Sequence, residues 1–241
     1  MPQPEKITSW SYSRFNLWDE CAFKANQKFI KKIAEPGSPQ MDRGNIVHKA
    51  LENYLKGYAS KLVLDKQCQP KAFGTLFKKI RDKRKADPAS VFVEDTFAFR
   101  SDWSETTWND WDGCWLRVKI DCATVDGDVD DVKVHVRDWK TGRFRENDSA
   151  KYALQLDLYA LGSLIKYQTA KSVTVTPSLV YLDEGIEYSP RAYDLSDLPR
   201  LKKEWSARVK PMLADTKFVP KPNNWCGRCF YRKDNGGACK F

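Results

Sequence analysis

The stretch 132–142, VKVHVRDWKTG, decides how the rest of the chain is read. It has the composition of a strand, and it ends in Asp138-Trp139-Lys140 followed by a Thr141-Gly142 turn. Residues two apart on a strand point to the same face, so Asp138 and Lys140 share one. A carboxylate in that place can hold a divalent ion, and an ammonium one pleat further on can reach a water beside it. A bare D-x-K is more often an ion pair at a strand end, so its neighbours have to decide.

Working outward, 115–125 (WLRVKIDCATV) reads as a strand that delivers Asp121, and 126–131 (DGDVDD) as a tight polar turn. The two strands then form a hairpin whose register brings Asp121 and Asp138 together. Residues 91–99 read as an earlier strand carrying Glu94. Residues 42–58 place Ile46, Val47, Ala50, Leu51, Tyr54 and Leu55 at helical spacing, and His48 rides on the same helix. Downstream, 149–168 is an amphipathic helix with Gln155 and Tyr159 four residues apart on one face. A strand follows at 172–182, a further one at 185–195, and a helix at 196–214. Residues 7–33 read as one helix capped by Ser11 or Ser13. Residues 67–87 read as a basic helix that Pro88 ends. The pattern predicts an α/β fold with a mixed sheet.

The chain has 241 residues, enough for one substantial domain or a core with a small appended module. A hydrophobic fraction of 41% and an aromatic fraction of 13% are globular values. No apolar run approaches the roughly 20 residues of a membrane helix. MPQPEKITSW has no apolar signal core, so a soluble, cytoplasmic protein is expected. The net charge of +9 favours a phosphate-rich partner. The basic run 78–85 reads equally well as a solvated helix face.

Seven cysteines cannot all pair internally, and their clustering suggests ligation instead. Cys226 and Cys229 form C-x-x-C, Cys239 follows, and Cys21 is the candidate fourth ligand. Cys68, Cys114 and Cys122 sit in segments that read as ordinary core or loop. Zn²⁺ and a [4Fe–4S] cluster both accept four thiolates, and spacing alone leaves both open, with zinc the first guess.

Four segments, GNIVHKALE (44–52), KIDCATVDG (119–127), VRDWKTG (136–142) and QLDLY (155–159), resemble in order and spacing the motifs of the PD-(D/E)XK nuclease superfamily. The resemblance is to its RecB-like, Cas4-like branch. It implies a restriction-endonuclease-like core at 41–215, after an N-terminal helix segment (1–40) and before a Cys-rich module (216–241) tied back to that helix. It implies that His48, Asp121, Asp138 and the Trp139 carbonyl hold Mg²⁺ or Mn²⁺, that Lys140 is the catalytic lysine, and that Gln155 and Tyr159 contact DNA or order the site. Glu94 resembles an acidic position of the family. One cysteine before the core and three after it resemble an iron–sulfur staple, which moves the expectation from zinc to [4Fe–4S]. Ala22 stands where proline often follows the first cysteine, and the gap from Cys229 to Cys239 is long. Arg143 and Arg145 read as phosphate contacts or, equally, as a solvated pair.

The implied activity is a DNA exonuclease, 5′-to-3′ by analogy, favouring single strands or ends and leaving 5′-phosphates and 3′-hydroxyls. A sequence- or structure-specific endonuclease on the same core and a catalytically silent DNA-binding protein are the alternatives. No G-x-x-x-x-G-K-[ST] is present, so any unwinding belongs to a partner, such as a helicase, recombination or CRISPR-adaptation protein. A phage or CRISPR-associated setting suits so short a chain.

Overall fold

Hydrophobic strands bracketed by amphipathic helices have one economical solution, a sheet with helices on its faces, and the computed structural model has it. It describes residues 6–70 and 72–241. The chain divides into two units.

The first unit comprises Ser38–Phe97 and Val118–Lys202. Its helices are α3 (Pro39–Leu55), α4 (Lys61–Cys68), α5 (Gly74–Ala86) and α6 (Ser149–Lys166). Its strands belong to a six-stranded sheet: β1 (Val91–Phe99), β2 (Leu116–Gly127), β3 (Asp131–Lys140), β4 (Ser172–Tyr181), β5 (Ile186–Tyr188) and β6 (Tyr193–Asp194). The order is β1-β2-β3-β4-β5, with β6 also paired to β4. β2 and β3 are an antiparallel hairpin, β3 and β4 are parallel, and α6 makes the crossover between them. The sheet is therefore mixed.

Gly127 (φ +94°) makes the hairpin turn possible, because a Cβ there would sit 1.9 Å from the Asp131 carbonyl oxygen. Asp128 Oδ1 accepts from the Asp130 and Asp131 amides and closes the turn. On one face of the sheet, α3, α4 and α5 pack Leu51, Leu55, Leu64 and Phe77 against Cys122, Trp139, Val180 and Leu182. On the other lies α6, whose Gly162 lets the Phe97 ring approach to where a Cβ would be 2.9 Å away.

Sequence periodicity misplaced two boundaries here. The helix expected at 67–87 begins only at Gly74; residues 67–68 are the end of α4, which stops there because Gln69 adopts a left-handed conformation (φ +47°) and Pro70 disfavours a helical predecessor. The helix expected from 42 begins at Pro39, with the Ser38 hydroxyl accepting from the Met41 amide.

The second unit gathers the described residues up to Gly37, Ala98–Arg117 and Lys203–Phe241. Its core is aromatic. Trp10 stacks on Trp205 at 5.3 Å and meets Trp115 edge-on, and Trp103 meets Trp115 edge-on at 5.1 Å. The single helix expected over 7–33 is three pieces: α1 (Tyr12–Glu20), α2 (Ala22–Ala25) and a π-turn at Asn26–Ile30. Ser11 caps α1 as expected. The break falls at Cys21, whose backbone is extended. Lys221 Nζ donates to the Asp19 carbonyl (2.8 Å) and Asn223 Nδ2 to that of Glu20 (3.2 Å). A continuous helix would have offered those oxygens to the amides of Phe23 and Lys24.

α7 (Leu198–Ala214) begins in the first unit and ends in the second. No helix among the described residues is long and apolar enough to cross a membrane.

Candidate active site

The β2–β3 register sets Cys122 opposite Arg137, and continuing it by one residue sets Asp121 opposite Asp138. There a side chain takes over from the ladder: the Trp139 amide donates to Asp121 Oδ2 at 2.7 Å. Both carboxylates are buried, at 8% and 6% exposure. The D-W-K triplet straddles the sheet. Asp138 and Lys140 face α6, while the Trp139 ring packs edge-on against Phe77 of α5 at 5.5 Å on the opposite face. A fully buried indole between two polar residues fixes the rotation of the strand end.

α6 completes the site from the Asp138 side. Tyr159 Oη donates to Asp138 Oδ1 (2.5 Å), as does Gln155 Nε2 (3.2 Å), which also donates to Tyr159 Oη (2.8 Å). Lys140 Nζ donates to Gln155 Oε1 at 3.4 Å and lies 2.5 Å from Asp138 Oδ2. Oδ2 is buried and accepts no hydrogen bond of good geometry. Asp138 is thus held through Oδ1 by α6 and through Oδ2 by the Lys140 ammonium.

α3 and β1 complete the other side. His48 Nδ1 lies 3.4 Å from Asp121 Oδ1. One ligating atom each from His48, Glu94 and Asp121 lie within 4.8 Å of one another, the spacing of groups that can share a cation. Glu94 reaches this position through an irregularity in β1. Its φ is +55°, the left-handed region that non-glycine residues avoid. Before it, Val93 packs with the α3–α5 cluster while Phe92 lies under Lys166 of α6. After it, Phe97 lies on the α6 face. Strict alternation would put Val93 and Phe97 on one face, so the strand gains a residue between them, the signature of a bulge. An open cleft of about 360 Å³ lies over this group, lined by His48, Glu52, Glu94, Lys119 and Asp121 among others.

The electrostatics are those of a site short of positive charge. Burial and the neighbouring Asp138 push the Asp121 carboxyl up, against the pull of His48 and the Trp139 amide. Burial opposes charge on His48, but Asp121, Asp138 and Glu94 outweigh it and raise the imidazole. Burial likewise opposes charge on Lys140, and Asp138 and Asp121 win, so the ammonium is held above its ordinary value. Burial together with Asp138 raises the Tyr159 hydroxyl, so it stays a donor.

Of the residues singled out from sequence, His48, Glu94, Asp121, Asp138, Lys140, Gln155 and Tyr159 come together. Arg143 lines a separate open pocket of about 600 Å³ with Arg43, Thr141 and Asp183, and Arg145 is exposed in the loop before α6. Sequence reading passed over Lys119, which pairs with Glu94 at 2.5 Å. A signal existed: Lys119-Ile120-Asp121 is the D-x-K order reversed, as expected for the opposing strand of a hairpin. It also passed over Arg43, whose guanidinium grips both Asp183 oxygens (2.8 and 2.6 Å) and the Thr141 carbonyl (3.1 Å), joining α3 to the turn after Lys140.

In the second unit, Cys21, Cys226, Cys229 and Cys239 line one cavity of about 140 Å³. All four are partly exposed, whereas Cys68, Cys114 and Cys122 are buried. Burial pushes the Cys68 and Cys122 thiols up to about 12, as suits inert core cysteines. Cys239 is returned toward the C-x-x-C turn by main-chain bonds: its amide to the Tyr231 carbonyl, and the Lys233 amide to its own carbonyl, both 2.9 Å. The Asn223 amide donates to Cys226 Sγ at 3.3 Å.

Residues 9–233 match the family model of the PD-(D/E)XK nuclease superfamily. The crystal structure of SSO0001 is 13% identical with a TM-score of 0.38, covering 94% of this chain and 84% of its own. That of a "Putative exonuclease" from Eubacterium rectale is 14% identical with a TM-score of 0.42, covering 92% and 87%. No curated protein matches the chain.

Proposed function

The chain belongs to the PD-(D/E)XK nuclease superfamily, and on that premise we propose that it is a Mg²⁺- or Mn²⁺-dependent DNA exonuclease whose centre is the His48–Glu94–Asp121–Asp138–Lys140 group. One observation carries the reading. His48, Glu94 and Asp121 each bring a ligating atom within 4.8 Å of the others, and the hairpin register sets the buried Asp138 opposite Asp121. The donor set is oxygen-rich with one imidazole, which suits a hard divalent ion, and the Trp139 carbonyl is a further candidate ligand. When bound, such an ion supplies Lewis-acid charge and a lowered water pKa.

The chain's own residues do the rest. Tyr159 and Gln155 hold Asp138 by Oδ1 so that Oδ2 is presented inward. Asp138 and Asp121 favour the charged form of Lys140 against burial, which suits a donor role. Lys140 orients the nucleophilic water for in-line attack and offsets charge as it gathers on the phosphate oxygens. Glu94 is displaced toward the site by its own bulge.

We read Cys21, Cys226, Cys229 and Cys239 as ligands of a structural [4Fe–4S] cluster that ties a tail module, 216–241, to the N-terminal helix. The four thiols line one cavity, and an N–H on a ligating sulfur suits a cluster.

Three measurements test the proposal. Asp138→Ala and Lys140→Ala should abolish Mg²⁺-dependent DNA hydrolysis while leaving the circular dichroism unchanged; undiminished cleavage overturns the site. Anaerobically purified protein should be brown, with iron and acid-labile sulfide that Cys239→Ser loses; stoichiometric zinc in a colourless preparation overturns the cluster. Oligonucleotides labelled at either end should release mononucleotides or short products from the 5′ end, and internal cuts in a closed circle would assign an endonuclease instead.

A further inference from the structure

We propose that the cysteine-bearing tail is a binding surface for unpaired nucleic acid, with Trp225 as the platform on which a base stacks and Lys221 and Arg228 as its phosphate contacts. The inference deepens the nuclease reading, which supplies the reason for DNA to be present.

Charge comes first. Residues 216–241 contain Lys217, Lys221, Arg228, Arg232, Lys233 and Lys240 against a single acid, Asp234. That acid is taken by Arg232 at 2.5 Å. Among the described residues no carboxylate pairs with Arg228, which is exposed, and Lys221 spends an N–H only on the neutral Asp19 carbonyl. Among the described residues Glu20 is the one acidic side chain on the cavity wall, against Lys24, Lys221, Arg228 and Arg232, so the surface is basic on balance and favours a polyanion.

The second observation is an indole displayed on a rigid support. Trp225 is 58% exposed. Its amide is tied to Asn223 Oδ1 (2.9 Å) and its carbonyl to the Arg228 amide (3.0 Å). Asn223 is fixed in turn: its side-chain amide reaches the Glu20 and Lys221 carbonyls (both 3.2 Å), and its carbonyl accepts from the Cys226 amide (3.0 Å). The turn therefore holds its indole outward by its own hydrogen bonds. Lys221, Trp225 and Arg228 line the same cavity as the four cysteines, with Phe241, 46% exposed, on its rim. Cations along a backbone track and a rigid aromatic face to stack on are what sequence-tolerant single-strand binding uses. A duplex hides its base faces, so the occupant is a single strand or a frayed end.

A second exposed indole in the same unit provides the control. Trp111 is 79% exposed but is flanked in sequence by Asp110 and Asp112, and Arg117 already lies over its ring at 5.3 Å. Its ring face is already covered by that guanidinium, so a base has no free face to stack on there.

The experiment is fluorescence anisotropy of a labelled oligothymidylate and its duplex counterpart with the full chain as purified, without added divalent ions, across a salt series. Trp225→Ala should weaken single-strand binding about tenfold. Trp225→Phe should restore it, and Trp111→Ala should bind like the unaltered protein. Arg228→Gln and Lys221→Gln should each reduce the slope of log K against log salt by about 0.7. Equal binding by Trp225→Ala overturns the proposal, as does an equal loss in Trp225→Phe with an unchanged visible and circular-dichroism spectrum. If hydrolysis proves absent while the Trp225 effect persists, the nuclease reading falls and the surface stands. If hydrolysis is present and Trp225→Ala binds normally, the reverse holds.

Discussion

Glu94 is where the fold gives up stability for the site, and the loss can be measured. Its φ of +55° costs a residue with a Cβ roughly 1–2 kcal/mol relative to glycine. Glycine offsets part of this by losing about 0.5–1 kcal/mol more chain entropy on folding. The difference leaves Glu94→Gly more stable than Glu94→Ala by about 0.5–1 kcal/mol. The comparison is clean because both variants lose the same carboxylate and the same partly exposed Lys119 pair, itself worth roughly 0.2–1 kcal/mol. Glu94→Gln keeps the backbone strain and drops the charge, so it reports the net of the repulsion from Asp121 and the attraction to Lys119 and His48. Urea unfolding in metal-free buffer is the assay, with equal m-values as the condition for comparison. With Mn²⁺ added, the unaltered protein should rise relative to all three variants. The unaltered protein gains RT ln(1 + [Mn²⁺]/Kd), about 2.7 kcal/mol at a hundredfold excess over Kd, and the three variants gain little. Equal stability of the alanine and glycine variants would refute the strain. Equal Mn²⁺ stabilisation of all four proteins would refute Glu94 as a ligand.

Other outcomes follow from single positions. Gly237→Ala should destabilise the protein by about 1–3 kcal/mol and lower the iron content, because its Cβ would stand 2.2 Å from the Tyr231 carbonyl group that also holds Cys239. Gly227→Ala, whose Cβ would meet nothing within 4 Å, should be neutral in the same thermal melt and iron assay. Hydrogen bonding from His135, outweighing burial, and the neighbouring Ser178 and Arg137 hold the Glu187 carboxyl down to about 2. A depressed carboxylate contributes stability that is full above its ordinary value near 4.5 and is lost as pH falls toward 2. Melts between those limits should fall more steeply for the unaltered protein than for Glu187→Gln, and parallel curves would refute the linkage. Tyr159→Phe leaves Asp138 Oδ1 with Gln155 alone, so Mn²⁺ affinity by calorimetry should drop at least several-fold; unchanged affinity would mean that Gln155 suffices.

The parts of the site that sequence made legible are those set by short-range rules. Alternation placed Asp138 and Lys140 on one face, the polar turn fixed the hairpin, and helical spacing put Gln155 beside Tyr159. What escaped depends on contacts between distant segments. Nothing local in KANQ or in DECAF announces a helix break at Cys21; the break is stabilised by Lys221 and Asn223, some 200 residues away. The stop at Gln69 was legible in principle, since Pro70 follows it. The positive φ at Glu94 was not, because VFVEDTFAF reads as ordinary strand on both sides of the slip.

That slip explains why the cation-sized group contains Glu94 and omits Asp138. Asp138 is pinned through Oδ1 by α6 and neutralised by Lys140, so its remaining oxygen is fixed in place but does not join the 4.8 Å group. Glu94 is displaced toward His48 and Asp121 by its bulge and is opposed only by the more exposed Lys119. The two lysines are related by the hairpin register and differ in burial: the Lys140 side chain is 30% exposed and that of Lys119 is 57%. An arriving cation therefore meets one carboxylate whose ammonium partner is held by the core and one whose partner can swing into solvent. Lys119→Ala and Lys140→Ala should accordingly both raise Mn²⁺ affinity, each by removing an ammonium that competes for a carboxylate, and the more buried Lys140 should give the larger gain. A calorimetric titration in which the Lys119 variant gains more would break the asymmetry.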